Sequence, residues 1–204
     1  MTKIKICGLR RYEDIEMVNR LRPDYCGFII NFPKSRRSLS PEKVMELSRD
    51  LDRKSTVPVG VVVDIPASLA ASYLNDGIVD MIQLHGSESE DYIRQLKKLT
   101  EKPVIKAFRI TCREDIEAAE KSCADYILLD QGQGGGETFD WSYLAGGCPV
   151  GRKWFLAGGL NEHNITGAAA RFRPYAVDLS SAVETDGFKD FEKVKKVIDL
   201  VRSV

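Results

Sequence analysis

The chain has 204 residues, 43% of them hydrophobic, with 30 basic and 30 acidic side chains. That supports a single domain over residues 1–204 with a sizeable core. The balanced charge provides no global field for nucleic acid or an anionic membrane, so any anion has to be held by a local device. The five cysteines stand apart at positions 7, 26, 112, 123 and 148 with no CxxC pair. Neither a zinc site nor a disulfide framework is expected, and reduced thiols in a cytoplasmic protein are the simpler reading. The opening residues show no apolar leader region, and no apolar run approaches the roughly 20 residues of a bilayer span.

The chain begins with an alternating strand, Lys3-Ile4-Lys5-Ile6-Cys7, and exits it at Gly8. Isoleucine alternates with lysine, so one face is apolar and the other polar. Further strands are expected at Tyr25–Ile30, Val59–Val63, Met81–Leu84, Val104–Phe108, Tyr126–Asp130, Lys153–Ala157 and Tyr175–Leu179. Several are near-continuous apolar runs, as strands covered on both faces should be. Helical segments fall between them. Ser40-Pro41 opens one with a cap and a first-turn proline. Glu88–Leu99 places Ile93, Leu96 and Leu99 on one stripe. Glu114–Lys121 and Phe188–Val201 behave similarly, and Trp141–Ala145 is a short helical piece. Eight strands alternating with helices over this length predict an α/β fold, a closed parallel (β/α)₈ barrel at the compact end of its size range. An open doubly wound sheet is the rival, weakened by the lack of a GxGxxG after the first strand.

In such a barrel the carboxyl ends of all strands converge on one mouth. Read in order, those ends are Cys7, Asn31, Asp64, His85, Phe108-Arg109, Asp130, Gly158-Gly159 and Ser180-Ser181. Turn chemistry accounts for Asn31 and Asp64. It accounts poorly for a cysteine, although a buried cysteine is more often a small hydrophobe than a reactive group. Cys7 and Asp130 can act as a base–acid pair if their pKa values are pushed apart. The exits Gly158-Gly159 and Ser180-Ser181 follow strands seven and eight, where barrels of this type frequently hold phosphate; a plain helix cap at either serine is the bland alternative. Asp130 is followed by a glycine-rich run, 131–137, which reads either as a loop that closes over a ligand or as a plain connection. His85 is balanced between a satisfied strand-end histidine and a substrate contact. His163 reads as structural, in the first turn of a helix. Two histidines so far apart, without clustered acids, argue against a catalytic metal. The basic run Lys34-Ser35-Arg36-Arg37 is either solvated surface or a carboxylate binder. Lys5 lies on the same face as Cys7, one step further down, and is not expected to act on it directly.

These segments together resemble the phosphoribosylanthranilate isomerase family. The matching pieces are Lys5-Ile6-Cys7-Gly8, Gly27-Phe28, Lys34-Ser35-Arg36-Arg37, Gln83-Leu84-His85-Gly86, Asp130, Thr138-Phe139-Asp140-Trp141, Ala157-Gly158-Gly159-Leu160-Asn161 and Asp178-Leu179-Ser180-Ser181-Ala182-Val183-Glu184. The resemblance implies an Amadori rearrangement of N-(5-phosphoribosyl)anthranilate to the 1-amino-1-deoxyribulose phosphate, a step of tryptophan biosynthesis. It implies Asp130 as general acid, Cys7 as general base, Arg37 at the anthranilate carboxylate, His85 and Asp178 as substrate contacts, and Gly159, Ser180 and Ser181 at the phosphate. No metal or organic cofactor is implied. The partner is a small phosphosugar, with no nucleic acid or membrane, and the chain acts as a monomer or homodimer. Departures from the family pattern are Arg10, Arg36, Glu137 and Ala182. The alternatives are another phosphosugar isomerase or epimerase, and a phosphate-binding barrel that has lost catalysis.

Overall fold

The computed structural model describes residues 1–130, 141–145, 149 and 151–204. Eight parallel strands form the barrel wall: β1 (Lys3–Cys7), β2 (Tyr25–Ile30), β3 (Val57–Val62), β4 (Met81–Leu84), β5 (Val104–Arg109), β6 (Tyr126–Asp130), β7 (Trp154–Leu156) and β8 (Ala176–Leu179). Each pairs with the next, and β1 pairs with both β2 and β8, which closes the sheet. The expected closed barrel is therefore present and the open sheet is not. A two-residue strand, Ser38–Leu39, adds to the outer side of the β2 exit.

The helices alternate with the strands: α1 (Tyr12–Leu21), α2 (Pro41–Ser48), α3 (Ala67–Asn75), α4 (Glu90–Leu99), α5 (Arg113–Glu120), α6 (Ser142–Ala145), α7 (Ile165–Phe172) and α8 (Phe191–Arg202). Their starts follow from local chemistry. The Ser40 hydroxyl accepts from Lys43 N, Ser89 from Tyr92 N, and the Asp190 carboxylate from Lys193 N, each satisfying an otherwise orphaned first-turn N–H. On α4, Ile93 and Leu96 are buried as expected, but Leu99, the last helical residue, is 44% exposed. The expected helix from Phe188 starts later. Asp186 and Gly187 both take positive φ, 51° and 80°, and form a two-residue turn that pairs Glu184–Thr185 with Phe188–Lys189. That turn geometry suits a tight hairpin. His163 lies in the turn ahead of α7 rather than inside the helix, and its side chain is exposed.

The strand alternation is inverted relative to a simple core. The isoleucines of β1 face outward, into the apolar layer between wall and helices. The lysines face inward. Lys5 is fully buried in the barrel lumen. The lower lumen is closed by an apolar layer of Val59, Met81, Ile105, Leu128, Phe155 and Ala176 together with Tyr25. Phe155 meets the rings of Tyr25, Tyr126 and Tyr175 at centroid distances of 5.4, 5.9 and 5.9 Å. The Tyr25 and Tyr175 hydroxyls lie 3.0 Å apart. This plug makes the barrel a packed core below and leaves only its upper half for polar groups. Among the described residues, no helix is long and apolar enough to cross a membrane.

Phe155→Ala should lower the free energy of unfolding by about 3–5 kcal/mol, because three neighbouring rings lose a shared partner and the rigid strands restrict collapse of the cavity. Urea titration of the two proteins checks this.

Candidate active site

The strand exits place the sequence-predicted groups around one rim, in two clusters. The first is built on β1, β2 and β8. Cys7 ends β1 and is 8% exposed. Its register partner is Gly27 on β2, and a β-carbon there would stand 2.7 Å from Cys7 Sγ, so the thiol occupies space that only glycine leaves. Gly8 turns the chain at φ 85°. A side chain at Gly8 would meet Arg37 Cδ at 2.5 Å and Ser180 Oγ at 3.3 Å, which places Arg37 and Ser180 beside the Cys7–Gly8 turn. Ser180 Oγ donates to the Cys7 carbonyl at 3.1 Å. That bond does not belong to a helix cap: Ser181–Val183 is a single 3₁₀ turn and Ser180 makes no side-chain cap bond to it. Gly158 and Gly159 both adopt positive φ, 77° and 68°, at the neighbouring exit of β7.

Glu184 organises this cluster. Arg37 grips its carboxylate with two bonds, Nε to Oε1 at 2.6 Å and a terminal nitrogen to Oε2 at 2.8 Å. Arg36 adds a 2.7 Å bond and Lys189 another of 2.7 Å. Lys189 Nζ also donates to the Ser180 carbonyl at 2.9 Å. The Glu184 carboxyl is pushed down to about 2; burial opposes this, and the bonds and charges of Arg37 and Lys189 overcome it. The two arginines are separated by exposure: the Arg37 side chain is 14% exposed and faces inward, whereas Arg36 is 58% exposed. Arg10, one of the departures from the family pattern, bonds the carbonyls of Arg36 at 3.1 Å and Gly187 at 2.8 Å. It thereby ties the loops after β1, β2 and β8 together.

The second cluster is built on β4 and β6. His85 Nε2 lies 3.6 Å from Asp130 Oδ2, and His85 Nδ1 lies 2.8 Å from the Gln83 amide nitrogen. With Nδ1 accepting from that amide, the imidazole proton sits on Nε2 and faces Asp130. The imidazole is held below its ordinary pKa chiefly by desolvation, against the pull of Asp130. The loop carrying His85 is clamped from outside the wall. Lys106 and Glu88 form a buried pair at 2.9 Å; Lys106 also bonds the Gly86 carbonyl at 2.7 Å, and Glu88 accepts from Gly86 N and Asp64 N.

Lys5 and Asp178 lie inside the lumen near both clusters. They are register partners on β1 and β8, joined by a 2.7 Å bond from Lys5 Nζ to Asp178 Oδ2. Asp178 Oδ1 is buried and has no hydrogen-bond partner among the described residues. Contrary to the expectation from alternation, the charge of the Lys5 ammonium acts on the Cys7 thiol. The same-face placement was right, but a four-carbon stem spans one strand step. Burial pulls the Lys5 ammonium down, and the charges of Asp178 and Cys7 more than restore it, leaving it raised. The Cys7 thiol is itself pushed up by burial and by the Asp178 charge, with Lys5 and Lys189 pulling it back.

The site therefore gathers Cys7, Arg37, Ser180 and Asp178 on one side and His85 and Asp130 on the other; Ser181 is exposed just beyond Ser180. Sequence reasoning missed Gln83, Glu184 and Lys189, and dismissed Lys5. Gln83 and Lys5 carried a signal, being polar residues on the inward parity of their strands. Among the described residues no group of three or more His, Cys, Asp or Glu could hold a metal ion. The run 131–137, Glu137 included, and Thr138-Phe139-Asp140 lie outside the described residues.

A closed parallel barrel with a thiol, a carboxylate–imidazole pair and a cationic cluster at the carboxyl ends of its strands is an acid–base enzyme of the (β/α)₈ class. The model of one family, described as N-(5'-phosphoribosyl)anthranilate (PRA) isomerase, matches residues 4–200. The chain belongs to that family. It is 42% identical to an N-(5'-phosphoribosyl)anthranilate isomerase of Thermoanaerobacter sp. (strain X514), over all of both chains. Among solved structures it is similar to phosphoribosyl anthranilate isomerase from Thermotoga maritima, with TM-score 0.88, 32% identity and 100% of both chains covered. It is also similar to a phosphoribosyl anthranilate isomerase in complex with reduced 1-(o-carboxyphenylamino)-1-deoxyribulose 5-phosphate, with TM-score 0.85, 32% identity and the same coverage.

The depressed Glu184 carboxyl has a pH consequence. Its folded pKa of about 2 lies below the unfolded value near 4.3, so it stabilises the fold above about pH 4.3, and that stabilisation is lost as pH falls towards 2. The stability gap between the parent protein and Glu184→Gln should be widest above pH 5 and should close towards pH 2. Denaturant titrations at stepped pH measure it.

Proposed function

We propose that this chain isomerises N-(5'-phosphoribosyl)anthranilate to the corresponding 1-(2-carboxyphenylamino)-1-deoxyribulose 5-phosphate, with Cys7 and Asp130 making the proton transfers. The observation that carries the assignment of roles is the division of the rim. The thiol lies beside the cationic cluster, and the carboxylate lies three strands away, beside a neutral imidazole. An aminoaldose phosphate presents the same division: anions at both ends and a ring oxygen and a C–H bond between them. The compound named in the similar solved complex is a reduced form of this reaction's product, and it supports a small phosphosugar as the ligand here.

In this reading Asp130 gives its proton to the ribose ring oxygen, the C1–O bond breaks, and the nitrogen lone pair forms the cationic Schiff base. That cation acidifies the neighbouring C2–H. Cys7, as thiolate, takes the C2 proton, and the electron pair moves to give the enolamine, which becomes the ketose as C1 gains a proton and the C2 hydroxyl loses its own to form the carbonyl. Arg37 is the inward of the two arginines and faces the substrate carboxylate, a pairing that guanidinium makes in two bonds. Gly159, Ser180 and Ser181 hold the phosphate at the exits of β7 and β8. Asp178 offers its unpartnered Oδ1, and His85 its Nε2–H, to polar groups of the sugar.

Cys7→Ser and Asp130→Asn should each reduce turnover of the fluorescent anthranilate riboside phosphate by at least about a hundredfold. Normal turnover in both variants would overturn the assignment. Ser180→Asp places a like charge at the phosphate and should chiefly raise KM; an unmoved KM would put the phosphate elsewhere.

A further inference from the structure

We propose that Lys5 is the positioning residue that sets the ionisation of Cys7, and that Asp178 competes with Cys7 for its ammonium, so that the base is formed when substrate engages Asp178. This rests on Cys7 as the base in the reading above. The geometry starts with strand register. Lys5 and Cys7 share the inward face of β1, and Asp178 is the residue directly beside Lys5 on β8. The Lys5 side chain is fully buried, and Asp178 is 9% exposed; their 2.7 Å bond uses one carboxylate oxygen only. The other oxygen, Oδ1, is buried with no partner among the described residues. A buried acceptor left unpaired costs free energy of the order of a lost hydrogen bond, and a ligand donor relieves it. One strand step above Lys5, the missing side chain of Gly27 leaves room for the Cys7 thiol.

The charged and titratable groups around Cys7 are few enough to name. Lys5 comes from β1, Asp178 from β8, Lys189 from the hairpin after β8 and Arg37 from the loop after β2; Cys26 is on the opposite face of β2, and His85 and Asp130 face Lys5 and Asp178 from across the lumen. Arg37 and Lys189 are both bonded to Glu184, so their charge is already shared with a carboxylate. Among the described residues, Asp178 is the carboxylate that Lys5 is bonded to. A hydroxyl or N–H donated to Oδ1 stabilises the negative charge of Asp178 and weakens its hold on Lys5. The ammonium then serves the thiolate. Without such a donor the carboxylate holds the ammonium and the thiol keeps its proton, which protects a buried thiol from adventitious alkylation and oxidation.

The test reads Cys7 itself. Iodoacetamide labelling of the full chain, followed peptide by peptide in mass spectrometry, gives the pH midpoint of Cys7 apart from the other cysteines. Lys5→Met should raise that midpoint by at least one unit, a tenfold loss of thiolate, and Asp178→Asn should lower it. General loosening of the lumen would move both in the same direction, towards the ordinary thiol value. If Lys5→Met does not fold, Lys5→Met/Asp178→Asn removes both charges without stranding either, and its midpoint should still exceed that of the parent. In the parent enzyme, the acid limb of kcat, which reports the complex, should lie below that of kcat/KM, which reports the free enzyme. A midpoint unmoved or lowered by Lys5→Met overturns the role of Lys5, and coincident limbs overturn the coupling to substrate. Both outcomes are distinct from full activity in Cys7→Ser, which overturns the base assignment itself.

Discussion

The buried ion pair between Lys5 and Asp178 is the constraint around which the upper barrel is arranged. Two charges in a lumen, one fully buried and the other 9% exposed, carry a desolvation cost of several kcal/mol each, and their attraction offsets it only with close geometry. The 2.7 Å contact between register partners supplies that geometry. Because β1 and β8 are hydrogen-bonded neighbours, the pair cannot drift apart without opening the barrel at the seam where its first and last strands meet. Removing one partner alone strands a buried charge, with an expected cost of about 3–5 kcal/mol. The aromatic plug beneath is the counterpart: it fills the lower lumen with apolar volume, so that polar groups are confined to the half that opens to the ligand.

A second level of organisation lies in the loops. Glu184 is a single carboxylate bonded by three cations from two different exits, and Arg10 reaches from a third. The arrangement leaves excess positive charge on the β1–β2–β8 side of the mouth while fixing the direction of Arg37. A bidentate carboxylate holds a guanidinium fork in plane, so a rotamer-rich side chain is ordered before a ligand arrives. On the opposite side, Glu88 and Lys106 do comparable work from behind the wall, pinning the backbone of Gly86 and so the ring of His85.

Much of the architecture was legible in the sequence, because apolar runs bounded by turn residues mark strands well: β2, β4 and β6 begin and end where the runs do. The exits followed, and with them Cys7, His85, Asp130 and Ser180. Two misreadings have physical causes. The helix expected from Phe188 began with a hairpin, because Asp186-Gly187 accepts positive φ and pairs Glu184 with Lys189 before Asp190 caps α8. Lys5 was set aside because alternation specifies the face of a side chain but says nothing of how far along that face a flexible stem reaches. Glu184 and Lys189 were not legible as site residues at all. Their meaning depends on Arg37, 147 residues away from Glu184 in sequence, and on no local pattern.

The inward-facing lysine also changes how the opening strand is to be understood. An Ile/Lys alternation ordinarily marks a strand with one face in a core and the other in water. In a closed barrel the wall has no water-facing side: the outer face meets helices and the inner face meets the lumen. The apolar set therefore goes outward, where the helices provide a continuous apolar layer, and the polar set turns inward, where it must find partners in a confined space. Lysines 3 and 5 do so in different ways. Lys3 lies over the Tyr25 and Tyr175 rings at 5.6 and 5.2 Å, at the foot of the barrel. Lys5, one step higher, takes a carboxylate. Cys7, one step higher again, lies under the influence of the ammonium below it. The same period of two that builds the strand thus stacks an anchor, a paired ammonium and a thiol along a single line, and places the thiol at the point where the line reaches the mouth.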